Sequence, residues 1–212
     1  MTSLDTFPHR IRPARGKPEG ALVLLHGRGT NEHDLFPLLD LLDPEARLVG
    51  VTPRAPLTLP PGGAHWYRLG GIPTPEPDTF WPSFVALAEL LDGLPQPIVL
   101  GGFSQGTAMT WALSLGRGPA KRPLTIVALS GFIPNVEGLE IDVSEMDGYP
   151  VAIAHGALDP VIPVDWGRAA RDLLVAAGAD VAYHESLVPH TIDPEIIPAL
   201  RSFLADAIDA RG

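Results

Sequence analysis

The 212-residue sequence contains no cysteine, which excludes disulfide bonds and a cysteine nucleophile. Long hydrophobic runs are also missing. Apolar stretches such as 21–25 have the length of a β-strand and fall far short of the roughly 20 residues that cross a bilayer. Residues 1–12 contain no apolar stretch long enough for a signal peptide. We therefore expect a cytoplasmic protein without stable membrane insertion.

Basic residues are scarce relative to acidic ones. The chain has 15 lysines and arginines against 25 aspartates and glutamates, a net charge of −10. This excess argues against binding to nucleic acid or to an anionic membrane surface. The composition, 45% hydrophobic and 19% charged, is ordinary for a soluble globular protein. We expect residues 1–212 to form one domain around one core.

The most informative motif is Gly-Phe-Ser-Gln-Gly at 102–106. An apolar run at 97–101, predicted to be a strand, precedes it, and a run at 107–113 with helical character follows it. G-x-S-x-G in this context is typical of a nucleophile elbow, a sharp turn that lifts Ser104 above the edge of the sheet. The motif alone also fits an ordinary Gly-Ser turn. A serine nucleophile needs a base, so the remaining sequence must supply one.

Candidates for the base and its supporting acid follow two later predicted strands. Asp159 lies just after the strand-like run 149–154, and His190 lies between an alternating run at 180–185 and the last predicted helix. Since the carboxyl ends of parallel strands meet at one edge of a sheet, Ser104 can meet both there. The order serine, acid, histidine is that of the elbow architecture. Asp165 is the rival acid, but its place at the start of a helix favours capping.

Strands and helices alternate along the chain, which predicts an α/β fold with a mostly parallel, doubly wound sheet flanked by helices. Residues 53–77 are rich in proline and glycine and are predicted to be a long loop without regular structure. No segment has room for a lid domain. The predicted strands lie within 7–13 and at 21–25, 47–52, 98–101, 124–129, 151–154 and 181–185, and the predicted helices at 35–42, 80–91, 106–115, 164–177 and 195–208.

Five segments carry a resemblance to a known family. They are Leu-Leu-His-Gly-Arg-Gly at 24–29, Pro-Arg-Ala-Pro at 53–56 followed by Trp-Tyr at 66–67, the elbow at 102–106, Leu-Ser-Gly-Phe-Ile-Pro at 129–134, and the acid loop at 155–163. Through them the chain resembles the serine α/β-hydrolases of the carboxylesterase, lysophospholipase and acyl-protein thioesterase group, from about residue 21 to the last helix.

The resemblance implies an α/β-hydrolase fold and a catalytic triad of Ser104, Asp159 and His190. It also implies an oxyanion hole formed by the backbone N–H groups of Arg28 and Gln105. We expect a carboxylesterase that acts on small-molecule esters with short to medium acyl chains and needs no cofactor. A thioesterase or lysophospholipase with the same triad remains open. So do a non-catalytic binding protein on this fold and a homodimer.

Trp66, Phe132, Ile133 and Val161 are the residues expected to line the substrate pocket. Core packing is an equally good account of the two aromatic residues and of Ile133. The chain departs from the family pattern at two positions. Proline stands at 189, where the family usually has glycine, and arginine stands at 68, where an acid is frequent.

Two weaker patterns point to other chemistries. Gly-Arg-Gly at 27–29 follows a predicted strand, but a dinucleotide-binding fingerprint needs a third glycine where Glu32 stands. His184 and Glu185 with His190 are too widely spaced for an H-E-x-x-H zinc motif and lie on a predicted strand. We therefore expect neither a bound dinucleotide nor a metal.

Overall fold

A computed structural model describes residues 7–210. Within these residues nine strands and five helices follow one another, and a short 3₁₀ turn, Pro194–Ile196, precedes the last helix. The strands are β1 (His9–Arg12), β2 (Ala21–Leu25), β3 (Val49–Pro53), β4 (Leu57–Leu59), β5 (Gly63–His65), β6 (Ile98–Phe103), β7 (Thr125–Leu129), β8 (Pro150–Gly156) and β9 (Asp180–Ser186). The helices are α1 (Phe36–Leu42), α2 (Pro77–Asp92), α3 (Gln105–Leu115), α4 (Asp165–Ala176) and α5 (Ile197–Asp209).

Seven strands form the main sheet in the order β1-β3-β2-β6-β7-β8-β9. All neighbours run parallel except β1, which pairs antiparallel with β3 at the edge. Parallel strands need crossover connections, which the helices provide. The central strands are apolar on both faces because helices cover both sides of the sheet.

Strand β2 illustrates how the two faces are filled. Leu22 and Leu24 pack into a cluster with α1 and α5, whereas Val23 and Leu25 pack on the opposite side with α2 and α3. This alternation follows from the two-residue period of a strand. The predicted α/β-hydrolase architecture is confirmed. Every predicted strand of the main sheet, and every predicted helix that flanks it, is present within a few residues of its expected bounds.

The segment 53–77 is where the prediction was wrong. It contains an antiparallel hairpin of β4 and β5. Strand β5 is further tied to the loop after β2, because the Gly29 N–H donates to the Ala64 carbonyl at 2.8 Å and the Ala64 N–H donates to the Thr30 carbonyl at 2.7 Å. These tertiary hydrogen bonds stabilise strands that are too short to be recognised from local composition.

The helices between residues 7 and 210 are short, or carry polar residues, relative to a membrane-spanning segment. Each of them falls short of the length and apolarity that a bilayer crossing requires.

Candidate active site

Ser104 occupies the sharp turn between β6 and α3. Its backbone has φ 56° and ψ −118°, a conformation that is costly for a residue with a side chain. The turn is feasible because its neighbours lack side chains. A Cβ on Gly106 would collide with the Leu25 carbonyl, and one on Gly102 would collide with the backbone of Gly106. The two glycines therefore let the chain reverse at the sheet edge with Ser104 at its apex.

Three side chains from different strand ends converge there. His190 Nε2 lies 2.8 Å from Ser104 Oγ, and His190 Nδ1 lies 2.6 Å from Asp159 Oδ2. The Asp159 side chain is fully buried, whereas 17% of the His190 side chain is exposed. The Asp159 carboxylate thus contacts one imidazole nitrogen of His190, and the other nitrogen faces the Ser104 hydroxyl.

The loop after β8 presents one carboxylate oxygen of Asp159 to His190. Oδ1 accepts hydrogen bonds from the backbone N–H groups of Val161 and Ile162, both at 2.8 Å. Because these bonds occupy Oδ1, Oδ2 is left for the imidazole. Asp165 was predicted to cap α4, but its carboxylate pairs with Arg168 at 3.0 Å instead, and Val164 stands at the cap position without a side-chain hydrogen bond.

A second histidine, His155, lies behind the acid. Its Nε2 is 2.9 Å from the Ile162 carbonyl and 3.6 Å from Asp159 Oδ2. The side chain is fully buried, and burial lowers the pKa of His155. The neutral ring therefore donates from Nε2 to Ile162 and braces the turn that orients Asp159.

The loop that carries His190 is attached through its backbone. The Leu158 N–H donates to the Val188 carbonyl at 3.1 Å, and the Thr191 N–H donates to the Pro189 carbonyl at 2.8 Å. The Pro189 side chain itself is exposed. The imidazole also lies against Phe103, with ring centroids 4.8 Å apart.

The two expected oxyanion donors belong to the loop after β2 and to the first residue of α3. The loop after β2 approaches the serine closely, since a Cβ on Gly27 would lie 3.4 Å from the Ser104 Cβ. Within residues 7–210, the N–H groups of Arg28 and Gln105 donate to no other backbone carbonyl. Both N–H groups are therefore free of a backbone acceptor, as a donor to an oxyanion must be.

The Gln105 side chain is a site feature that the sequence did not predict. It is buried and hydrogen-bonds to the segment at 66–67. The G-x-S-x-G motif predicts where Gln105 lies in the turn, but it does not predict which backbone groups its side chain contacts.

The residues expected to line a pocket are distributed differently. Trp66 and Phe132 are 0% and 2% exposed and belong to the core cluster under α2 and α3. This burial agrees with core packing, the alternative given for both residues, and a role for them in a substrate pocket stays a prediction. Ile133 is half-buried, and Val161 is 54% exposed in the loop that carries Asp159. Val161 is therefore the most exposed of the four, and it lies two residues after the acid of the predicted triad.

The part of the chain that the structure describes contains no group of three or more histidine, aspartate or glutamate side chains placed to hold a metal ion.

The fold and the arrangement of side chains are those of the α/β-hydrolases. The family model for phospholipases and carboxylesterases matches residues 8–208, and the chain belongs to this family. It is thus a hydrolase of the carboxylesterase or acyl-protein thioesterase type.

Three relatives with low sequence identity align over most of the chain. Acyl-protein thioesterase 1 of Cryptococcus neoformans is 29% identical, over 88% of this chain and 92% of that protein. The crystal structure of esterase PE8 is 28% identical with a TM-score of 0.76, over 95% of this chain and 99% of that one. The carboxylesterase of Bacillus cereus has a TM-score of 0.78 at 22% identity, over 98% and 100% of the two chains, and at that identity supports the fold alone.

Buried histidines make the stability depend on pH. Burial lowers the pKa of His155 and of His26 from the ordinary 6.5. Below about pH 6.5 the unfolded chain therefore binds more protons than the folded one, and the free energy of unfolding falls as the pH falls.

Melting curves between pH 7 and 5 should show a Tm that decreases as the pH falls, and this decrease should be shallower for His155→Gln. His184→Asn, on β9, is the control and should keep the wild-type slope. An unchanged slope in His155→Gln would contradict a buried neutral His155.

The proline at 189 is expected to be dispensable for activity. The hydrogen bonds that hold the loop use the carbonyls at 188 and 189, which glycine retains. Pro189→Gly should change kcat by less than about tenfold, or roughly 1.4 kcal/mol in the barrier. It should lower Tm modestly, since the unfolded chain gains freedom. Ester kinetics and a melting curve test this. A loss of kcat as large as that of His190→Ala, in a folded variant, would mean that the proline sets the catalytic geometry.

Proposed function

We propose that the protein is a carboxylesterase that hydrolyses esters with short to medium acyl chains through a Ser104–His190–Asp159 triad. The observation that carries the proposal is the continuous hydrogen-bonded chain from Ser104 Oγ through the imidazole to the buried carboxylate, at 2.8 and 2.6 Å. A nucleophile within hydrogen-bond distance of a base, itself oriented by a third group, is the signature of covalent acyl transfer.

The mechanism has two half-reactions. His190 Nε2 accepts the hydroxyl proton as Ser104 Oγ bonds to the ester carbonyl carbon, and the carbonyl oxygen becomes an oxyanion. The N–H groups of Arg28 and Gln105 stabilise this charge. Asp159 stabilises the imidazolium and keeps it oriented. The tetrahedral intermediate then collapses, the bond to the leaving oxygen breaks, and His190 protonates the leaving alcohol.

Water completes the cycle. His190 takes a proton from a water molecule, whose oxygen attacks the acyl-enzyme carbonyl. Collapse of the second tetrahedral intermediate releases the carboxylic acid, and the imidazolium returns a proton to Ser104 Oγ. The cycle consumes one water and restores the free enzyme.

Thioester hydrolysis is the second candidate. Similarity to acyl-protein thioesterase 1 of Cryptococcus neoformans over most of both chains supports it, and the same triad would serve because only the leaving atom changes from oxygen to sulfur. The family description names phospholipases, which supports lysophospholipase activity as a further alternative that differs in the leaving group.

Removal of a triad member should abolish turnover without unfolding the protein. Ser104→Ala and His190→Ala are each expected to lower kcat by several orders of magnitude, roughly the loss seen when triads lose these groups. Asp159→Asn should cost on the order of 10⁴-fold because the imidazole loses its orientation. Asp165→Asn is the matched control, and it should keep near-wild-type activity because its carboxylate pairs with Arg168 at the surface.

Hydrolysis of p-nitrophenyl esters and melting curves measure these effects. A serine-directed phosphonate should label Ser104 alone, as located by peptide mass spectrometry. An inactive Asp165→Asn beside an active Asp159→Asn would overturn the assignment of the acid.

Acyl-chain preference separates the candidate activities. The panel comprises p-nitrophenyl esters from acetate to palmitate, an acyl-CoA thioester and a lysophospholipid, each measured with wild type and Ser104→Ala. We expect kcat/KM to peak at short to medium acyl chains, and no increase when the substrate forms micelles. A steady rise up to palmitate, or a preference for the thioester or the lysophospholipid, would contradict the short-chain esterase.

A further inference from the structure

The side chain of Gln105 connects the elbow to the segment that follows β5. Its Nε2 donates to the Tyr67 carbonyl at 2.8 Å, and its Oε1 accepts from the Trp66 N–H at 2.8 Å. Gln105 is 3% exposed, so these bonds do not compete with water. The amide therefore fixes the backbone at Trp66 and Tyr67 relative to the start of α3.

Trp66 extends the connection to the loop after β2. Its indole N–H donates to the His26 carbonyl at 2.9 Å, and its ring lies against the imidazole with centroids 5.2 Å apart. Ser83 Oγ donates to the Trp66 carbonyl at 2.6 Å and holds this residue from the other side. The position of His26 thus depends on the Trp66 backbone that Gln105 holds.

The tautomer of His26 follows from its partners. The Ala55 N–H lies 3.0 Å from Nε2, so Nε2 must be the acceptor. Nδ1 then carries the proton and donates to the Gly27 carbonyl at 2.7 Å. Burial lowers the pKa of His26 and favours this neutral form.

The Gly27 carbonyl belongs to the same peptide group as the Arg28 N–H. A trans peptide is planar, and its C=O and N–H point in opposite directions. The Gly27 oxygen also accepts from Thr30 Oγ1 at 3.1 Å. With its oxygen held by two donors, this peptide cannot rotate freely, and the direction of the Arg28 N–H is set.

We propose that the Gln105 side chain is a positioning group for the opposite half of the oxyanion hole, acting through Trp66 and His26 on the Arg28 N–H. The proposal rests on the proposed function, because this chain of contacts connects the two N–H groups that would stabilise the oxyanion. We call these contacts, from Gln105 through Trp66 and His26 to the Gly27–Arg28 peptide, the relay. Gln105 then contributes one oxyanion donor with its backbone N–H, and its side chain aligns the other donor, the Arg28 N–H.

The test uses Gln105→Glu, which keeps the shape and the acceptor for Trp66 but removes the donor to Tyr67. Gln105→Met serves as the second variant if the carboxylate prevents folding. Gln96→Glu is the matched control, because its Nε2 also donates to backbone carbonyls, those of Leu91 and Leu94, at a loop outside the proposed site. The readouts are kcat, KM, and the Ki of a trifluoromethyl ketone, which binds as a tetrahedral oxyanion.

We expect Gln105→Glu to lower kcat/KM by about 10- to 100-fold, less than or comparable to loss of a whole oxyanion donor. KM should change little, and Ki should rise by the same factor as kcat/KM falls. His26→Ala should change kcat/KM, KM and Ki in the same way. The double variant, Gln105→Glu with His26→Ala, should lower kcat/KM no further than the more damaging single variant, because both substitutions break the same relay. The Gln96→Glu control should match wild type. Additive losses, or a fall in kcat without a rise in Ki, would overturn the proposal.

A readout independent of activity separates this proposal from the proposed function. The ¹H–¹⁵N resonance of Arg28 should shift in Gln105→Glu and remain in place in Gln96→Glu. If wild type hydrolyses no ester, the proposed function fails while the relay is still decided by that resonance. An unshifted Arg28 resonance in the folded Gln105 variants would overturn the relay whatever the activity.

Discussion

The close approach of α3 to the end of β2 is the constraint on which the site depends. Gly106 lies so near the Leu25 carbonyl that no side chain fits between them. This contact brings the elbow and the loop after β2 together, and it leaves Ser104 in its strained backbone conformation. The surrounding core compensates for that strain, because α3 is buried along its whole length and cannot relax outward.

Local sequence patterns were sufficient for the main sheet and for the positions that line its edge. Each central strand is a short apolar run, as expected when both faces are covered, and the glycines at 102 and 106 mark a turn that tolerates no side chain. Ser104, Asp159 and His190 could be placed at strand ends because strand direction follows from alternation with helices. Their convergence is a property of the topology and needs no long-range information.

Features that depend on partners distant in sequence could not be predicted. The β4–β5 hairpin exists because β5 bonds to the loop after β2. Trp66 was predicted either to line a pocket or to pack in the core, but the sequence did not indicate that its indole N–H donates to the His26 carbonyl, 40 residues away along the chain. Likewise, Asp165 pairs with Arg168 instead of capping its helix. The sequence shows that a residue is apolar or acidic, but it does not show which distant group that residue contacts in the folded protein.

Three histidines around the site illustrate how one residue type is given different roles by its neighbours. His26 and His155 are buried, each donates to a backbone carbonyl from one nitrogen, and burial lowers the pKa of both. They can brace loops because they stay neutral and keep one tautomer. His190 instead has a carboxylate on one side, a hydroxyl on the other and access to solvent. In the proposed mechanism this placement suits a base that transfers a proton, and the two buried histidines keep the surrounding loops in place.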